Sequence, residues 1–148
     1  MQNPFRYFNS SPAIIRLAVM MYIRYPLSLR QVEDLLFERG IDICHETVRF
    51  WWNRFGPMFA AEIRKRRIHR QSYSQWHWID NRAENSHQPF RRREGAMARF
   101  RDIKTLQKFA SAHASIHNHF NQDRHLNRRD IFKQNRSSAL AEWRKLAA

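Results

Sequence analysis

Residues 28–59 contain the clearest helix signals of the chain and read SLRQVEDLLFERGIDICHETVRFWWNRFGPMF. Ser28 followed three residues later by Gln31 is a capping box, which predicts the start of a helix. Gly40 suits the left-handed conformation that ends such a helix. After a short turn, a second apolar stripe predicts another helix, which we expect to end at Gly56-Pro57. Two helices joined in this way are typical of a helix-turn-helix.

The residues on either side extend this unit to residues 11–70. Ser11 and Pro12 predict the cap and first residue of a preceding helix, which Pro26 closes. A basic helical stretch is expected from Met58 to about Arg70. The unit therefore contains three helices and a basic extension.

The second half of the chain also reads as helix. Residues 71–80 form an expected linker, although Trp76 and Trp78 alternate in a way that allows one short strand. Helix is expected again from Asn81, and a final helix from about Ser137 to Leu146. Between them, an apolar stripe with helical spacing runs over five turns. Its members are Leu106, Phe109, Ala110, His113, Ile116, His117 and Phe120. The fold class is therefore mainly α.

The charge composition of the chain indicates the chemical class of its partner. The 148 residues include 27 Lys and Arg against 13 Asp and Glu, a net charge of +14 that is spread over both halves. Such a charge favours a polyanionic partner, most often nucleic acid. No apolar run approaches the ~20 residues that span a bilayer, and the first ten residues have no apolar signal core, so we expect no membrane partner. A single cysteine excludes an intrachain disulfide.

The outward face of the predicted recognition helix supplies candidate DNA contacts. Arg can read guanine and Asn can read adenine in the major groove, while further basic residues can contact phosphates. The candidates are His45, Thr47, Arg49, Asn53, Arg54, Arg64, Lys65, Arg66 and Arg67. The alternative is a structural three-helix bundle that binds no DNA.

Two arrangements that include histidine are candidate chemical sites. His113 and His117 stand four residues apart, with His119 close by, but no carboxylate or thiol lies at a suitable spacing. Cys44 beside His45 is interpreted as a helix-start residue. No metal site is predicted.

Two blocks of the sequence carry a family resemblance. The first is residues 28–59, followed by Glu62-Ile-Arg-Lys; the second is NRAENSHQPFRRRE at 81–94, continued by LQKFASAHASIHNHFN and AEWR. Together they resemble bacterial insertion-sequence transposases of the DDE type, in the insertion sequence six family. The resemblance implies that the first block recognises terminal inverted repeats. It also implies that the second block comes from the end of an RNase H-like catalytic domain, with Glu84 as the last acid of its Asp-Asp-Glu triad.

The same resemblance implies an internal deletion. The family's central sheet and its two catalytic aspartates would lie between Trp78 and Asn81, whereas an RNase H-like core needs on the order of 100 residues. Residues 81–148 are then a helical remnant of a catalytic domain whose sheet is absent. Intact relatives use two Mg²⁺ ions held by three carboxylates, and one acid cannot replace them. We therefore expect no bound cofactor and no strand transfer.

These interpretations leave three functions open. The chain is an inactive transposase relative that binds the inverted repeats as double-stranded DNA, a small repressor-like competitor of intact transposase, or a non-functional remnant. Possible protein partners are a second copy or intact transposase, and the expected location is the bacterial cytoplasm, at the nucleoid. The apolar stripe of residues 103–120, left without its sheet, should self-associate, dock on the N-terminal unit or aggregate.

Overall fold

The computed structural model describes residues 3–25, 27–71, 102–121 and 127–147, with the side chains of 67–71 left out. These ranges contain five helices and no strand. The helices are α1 (Pro12–Arg24), α2 (Leu29–Phe37), α3 (His45–Gln71), α4 (Ile103–Phe120) and α5 (Arg129–Arg144). The predicted mainly α fold is confirmed for these residues. The expected linker after residue 71, the possible strand at Trp76–Trp78 and the helix from Asn81 lie outside them.

Local capping explains the first two helices. The Ser11 hydroxyl accepts a hydrogen bond from the Ile14 amide at 3.3 Å, and Pro12 opens α1. At α2, Ser28 and Gln31 form the reciprocal capping box, with bonds of 3.2 and 2.7 Å. Gly40 follows α2 with a φ of +75°, a conformation that favours glycine. Both predicted helix starts and the predicted stop are confirmed.

The predicted end of the third helix at Gly56-Pro57 is wrong, because α3 continues through the pair to Gln71. Proline removes one helical N–H, which leaves the carbonyl four residues earlier without its usual donor. That carbonyl belongs to Asn53, and the Lys108 ammonium of α4 donates to it at 3.3 Å. Burial of the helix on both sides of the pair further offsets the proline.

The core forms around α3, which packs against α1, α2 and α4. The buried side chains of α3 follow one stripe across the Gly-Pro pair: Val48, Trp51, Trp52, Phe55, Phe59, Ala60 and Ile63. The N-terminal segment adds Phe5, whose ring stacks on Phe55 with centroids 4.9 Å apart. On α1 the fully buried residues include Ile15 and Val19, whereas Ile14 and Leu17 are only partly buried.

The C-terminal helices dock on the N-terminal unit, which is one of the three outcomes expected for their apolar stripe. Phe109, Ile116 and Phe120 are buried, and the Phe109 ring meets Trp52 edge-on at 5.3 Å. Helix α5 joins α1 through Trp143, whose indole N–H donates to the Arg16 carbonyl at 3.1 Å.

The last helix begins at Arg129, eight residues before the predicted start at Ser137, and ends at Arg144 rather than Leu146. Its first two turns are mostly exposed, with Ile131 42% accessible. The apolar periodicity used for the prediction is therefore absent from those turns. Asp130 in the first turn instead complements the helix dipole.

Candidate nucleic-acid interface

The first three turns of α3 present a polar face opposite the core. Val48, Trp52 and Phe55 are turned inward, and this burial fixes the rotation of the helix. The residues left exposed between them are Glu46, Arg49, Phe50, Asn53 and Arg54. Thr47 is half-buried. Apart from Phe50, these exposed residues carry hydrogen-bonding side chains of different chemistry, and they form one accessible strip along the helix.

The start of α3 is fixed by a carboxylate from α2. Glu33 Oε2 accepts hydrogen bonds from the His45 backbone N–H at 3.0 Å and from His45 Nδ1 at 2.7 Å. The side-chain bond and then the backbone bond lower the pKa of the Glu33 carboxyl below its usual value. The Cys44 carbonyl accepts from the Thr47 and Val48 amides, which completes the first turn. This part of the unit is held by specific contacts between α2 and α3.

His45, one of the predicted DNA contacts, is therefore held in place by the carboxylate of Glu33. Its Nδ1 bonds Glu33, and its Nε2 lies 3.4 Å from Glu46 Oε1. Glu46 also forms an ion pair with Arg49 at 3.1 Å. The Arg49 guanidinium therefore already has a partner, although a surface ion pair of this kind is weak. Asn53 and Arg54 remain exposed on the same side of the helix.

The predicted phosphate contacts in the second half of α3 have different surroundings. Arg64 donates to the Ser115 hydroxyl of α4 at 2.8 Å, and Arg66 forms an ion pair with Glu62. Lys65 is exposed. The side chain of Arg67 lies outside the described residues.

Sequence reasoning missed a basic contribution from α4. Lys108 is exposed, yet its ammonium lies against the backbone of Asn53, so the charge of α4 borders the polar strip of α3. Lys104 is exposed one turn earlier on α4. A sequence pattern offers no signal for this juxtaposition, because the two helices meet 55 residues apart along the chain.

The catalytic candidate Glu84 also lies outside the described residues. Within the described ranges, one group of three potential metal ligands comes together: Glu33, Cys44 and His45. This mixed set differs from the carboxylate oxygens that Mg²⁺ prefers. The described part of the chain thus offers no fit to the family's magnesium chemistry. In the same ranges, no helix combines the length and apolarity needed to cross a bilayer.

Comparison with known proteins indicates the class of protein to which part of the chain is similar. Residues 57–123 match a family model of the DDE domain of IS240-type transposases. The match begins inside α3 and extends just past the end of α4. The sequence resemblance is confirmed over these residues: this part of the chain is similar to the DDE domain of insertion-sequence transposases.

Among curated proteins, the chain is 35% identical over 74 residues to the transposase for the insertion sequence-like element IS431mec of Staphylococcus aureus. It is 34% identical, over the same length, to the transposase for insertion sequence element IS257 in transposon Tn4003, also from Staphylococcus aureus. Each alignment covers 50% of this chain and 32% of the relative. The match thus spans about a third of the length of these curated relatives. No solved structure shows significant similarity.

Proposed function

We propose that the chain binds double-stranded DNA at the ends of an insertion sequence, with α2 and α3 as a helix-turn-helix, and does not catalyse strand transfer. The exposed strip that contains Arg49, Asn53 and Arg54 carries this proposal. In a helix-turn-helix, the second helix of the motif enters the major groove and its first turns reach base edges. Arg49 and Asn53 stand on those turns, and both side chains are suited to bidentate base contacts.

The proposed arrangement separates specificity from affinity. Arg49 and Asn53 would read bases, whereas Lys65, Arg64 and the net charge of +14 would supply salt-dependent attraction to phosphates. His45 would act mainly by fixing the start of α3. Thr47, Arg54, Arg66 and Arg67 complete the proposed set.

Inactivity in strand transfer is inferred from the sequence. The family chemistry places two metal ions on three carboxylates, and Glu84 is the one triad acid that the resemblance retains. Incubation of the chain with Mg²⁺ and duplexes that carry insertion-sequence ends should leave the DNA intact. Specific cleavage at an end would overturn this part of the proposal.

A second candidate function is a small regulator that competes with intact transposase for the same DNA ends. The docking of α4 and α5 on the N-terminal unit favours it over a non-functional remnant, because their apolar residues are buried within one core. A bacterial location at the nucleoid follows from either DNA-binding function. Self-association and pairing with intact transposase remain predictions that analytical ultracentrifugation can test.

The decisive experiment is selection of bound duplexes from a random DNA library, followed by fluorescence anisotropy on the enriched and a scrambled sequence. We expect tighter binding to the enriched duplex and a salt dependence for both. Equal affinities would remove sequence-specific recognition and leave electrostatic attachment. If neither duplex bound at low salt, DNA binding itself would be refuted.

Two variants separate the proposed roles. Arg49→Ala should lower discrimination between the duplexes by about 1–3 kcal/mol, because a base contact is lost. Lys65→Ala should weaken both complexes alike and reduce the slope of log affinity against log salt by about 1. Arg66→Ala is a poorer test of phosphate contact, because Arg66 already pairs with Glu62. Arg129→Ala, an exposed arginine at the start of α5, serves as the matched control.

A further inference from the structure

Three side chains of different ligand chemistry converge where α2 faces the start of α3. Glu33, Cys44 and His45 place a carboxylate oxygen, a sulfur and an imidazole nitrogen within 4.8 Å of one another. Nδ1 of His45 is 2.7 Å from Glu33 Oε2 and 3.9 Å from Cys44 Sγ. We propose that this trio binds one divalent zinc-class metal ion.

The separations are close to those a zinc ion requires. Zinc–ligand bonds of about 2.0–2.3 Å at tetrahedral angles place neighbouring ligand atoms roughly 3.3–3.8 Å apart. The sulfur–nitrogen distance of 3.9 Å is already near that range. The oxygen–nitrogen distance must open, and a rotation of the partly exposed Glu33 side chain provides this. The ion therefore fits with side-chain adjustments alone.

The backbone that carries the three ligands is held by the core. Val32 and Leu36 flank Glu33 on α2, and both are fully buried. Val48, also fully buried, fixes the first turn of α3 next to Cys44 and His45. The ligands thus project from α2, from the residue just before α3 and from the first residue of α3, and little chain entropy is lost when an ion binds.

An outer carboxylate supports the histidine in the required tautomer. When Nδ1 binds a metal, the imidazole proton resides on Nε2, which lies 3.4 Å from Glu46 Oε1. Metal-bound histidines commonly donate their other N–H to such a carboxylate. Glu46 is therefore a positioning residue for the site, and this contact is independent of the three ligands.

The donor set selects the class of metal. A thiolate and an imidazole favour zinc-class ions over Mg²⁺ and Ca²⁺, which prefer oxygen ligands. Cys44 is exposed, so water can take the fourth position. The thiol must lose its proton to bind, while the histidine only moves its proton from Nδ1 to Nε2. One proton is thus released per ion, and affinity rises with pH.

The test is a Co²⁺ titration of the full chain without DNA, so its outcome is independent of the proposed function. Cys44 is the sole cysteine, so a cobalt–thiolate charge-transfer absorption can come only from this site. We expect one ion per chain, displacement by Zn²⁺, and loss of the band in Cys44→Ser. Glu33→Gln and His45→Gln should weaken binding by about tenfold or more. Glu38→Gln, an exposed glutamate just after α2, is the matched control.

A measurement on the unaltered chain covers the case in which a variant unfolds. Saturating Zn²⁺ should slow alkylation of Cys44 by iodoacetamide by about tenfold or more, since a metal-bound thiolate is a poorer nucleophile. Equal alkylation rates with and without Zn²⁺ would overturn the proposal. So would a cobalt–thiolate band that survives both Glu33→Gln and His45→Gln, or a stoichiometry of two chains per ion. Metal binding without a thiolate band would place the ion at other side chains and would likewise overturn the proposal.

Discussion

Gly56 lies in the middle of α3, and its replacement by alanine tests whether the helix is continuous through the Gly-Pro pair. Helix propensity alone predicts that Gly56→Ala stabilises the fold by about 1 kcal/mol. The structure predicts the opposite sign. A Cβ at this position would overlap the ring of Trp52, with its Cη2 atom 3.0 Å away and two other ring carbons closer still.

The magnitude depends on whether the Trp52 ring can move. It is 6% exposed and packs against Tyr22 at 5.7 Å and Phe109 at 5.3 Å, so rotation would displace two other rings. Overpacking of this kind costs typically 1–3 kcal/mol, or more where the contact is severe, which outweighs the propensity gain. We expect a net destabilisation of about 1–2 kcal/mol, which lowers Tm by roughly 2–8 °C.

Thermal unfolding followed by circular dichroism measures this change. In a Trp52→Leu background, the same Gly56→Ala substitution should become neutral or stabilising, since the ring that blocks the Cβ is gone. Gly40→Ala is the control: its φ of +75° makes alanine strained, but nothing lies within 4 Å, so its effect should not depend on Trp52. A Tm that rises on Gly56→Ala in the unaltered background would refute the packing of Trp52 over a continuous α3.

Three further predictions concern α4 and its contacts. Lys108→Met should lower the free energy of unfolding in urea by about 1 kcal/mol, because the carbonyl of Asn53 loses its donor. Lys104→Met is the control, and an equal loss in this variant would contradict the contact. Phe109→Ala should cost about 3–5 kcal/mol, since a ring that is 3% exposed is removed from the interface with α3, and a loss below about 1 kcal/mol would contradict the docking of α4. Burial, together with the charge of Arg24, lowers the pKa of His117 from its ordinary value of 6.5, although a hydrogen bond with Asn118 acts in the opposite direction. As the pH falls, the unfolded chain therefore takes up this proton before the folded chain does, and the free energy of unfolding decreases below pH 6.5. In urea unfolding measured over a series of pH values, His117→Gln should reduce this decrease.

Local chemistry was sufficient to predict the first two helices. The Ser28 capping box and the Gly40 stop act over three or four residues, and the structure contains both. The helix break at Gly56-Pro57 was predicted by the same local rules and is wrong. The donor that compensates for the proline, Lys108, lies on α4, 55 residues from the Asn53 carbonyl that it contacts, and no local rule can include it.

The candidate site also has one part that the sequence predicts and one part that it does not. The outward positions of α3 follow from helical periodicity once Val48 and Trp52 are assigned to the core, and Arg49 and Asn53 are exposed as expected. The convergence of Glu33 on His45 does not follow, because it depends on how the turn between α2 and α3 closes. Contacts across that turn are tertiary, so the metal-ligand set could not be found from spacing along one helix.

The position of α4 bears on whether residues 1–71 can fold alone. Local contacts favour an independent unit, but α4 and α5 cover apolar side chains of α1 and α3. Phe109, Ile116, Phe120 and Trp143 are all buried, and each contributes roughly 1.5–3 kcal/mol on burial. Their combined contribution of about 6–12 kcal/mol is comparable to the 5–15 kcal/mol that stabilises a whole domain.

A fragment of residues 1–71 should therefore be largely unfolded at 25 °C and should bind an exposed-hydrophobe dye, whereas the full chain should unfold cooperatively. Circular dichroism melts of both proteins test this, with DNA affinity as a second readout. Addition of a peptide of residues 102–147 in trans should restore helicity to the fragment if docking is the cause. A fragment with the same Tm as the full chain would show that residues 1–71 fold without a stabilising contribution from α4 and α5. In that case the burial provided by α4 and α5 would no longer favour a stable regulator over a remnant.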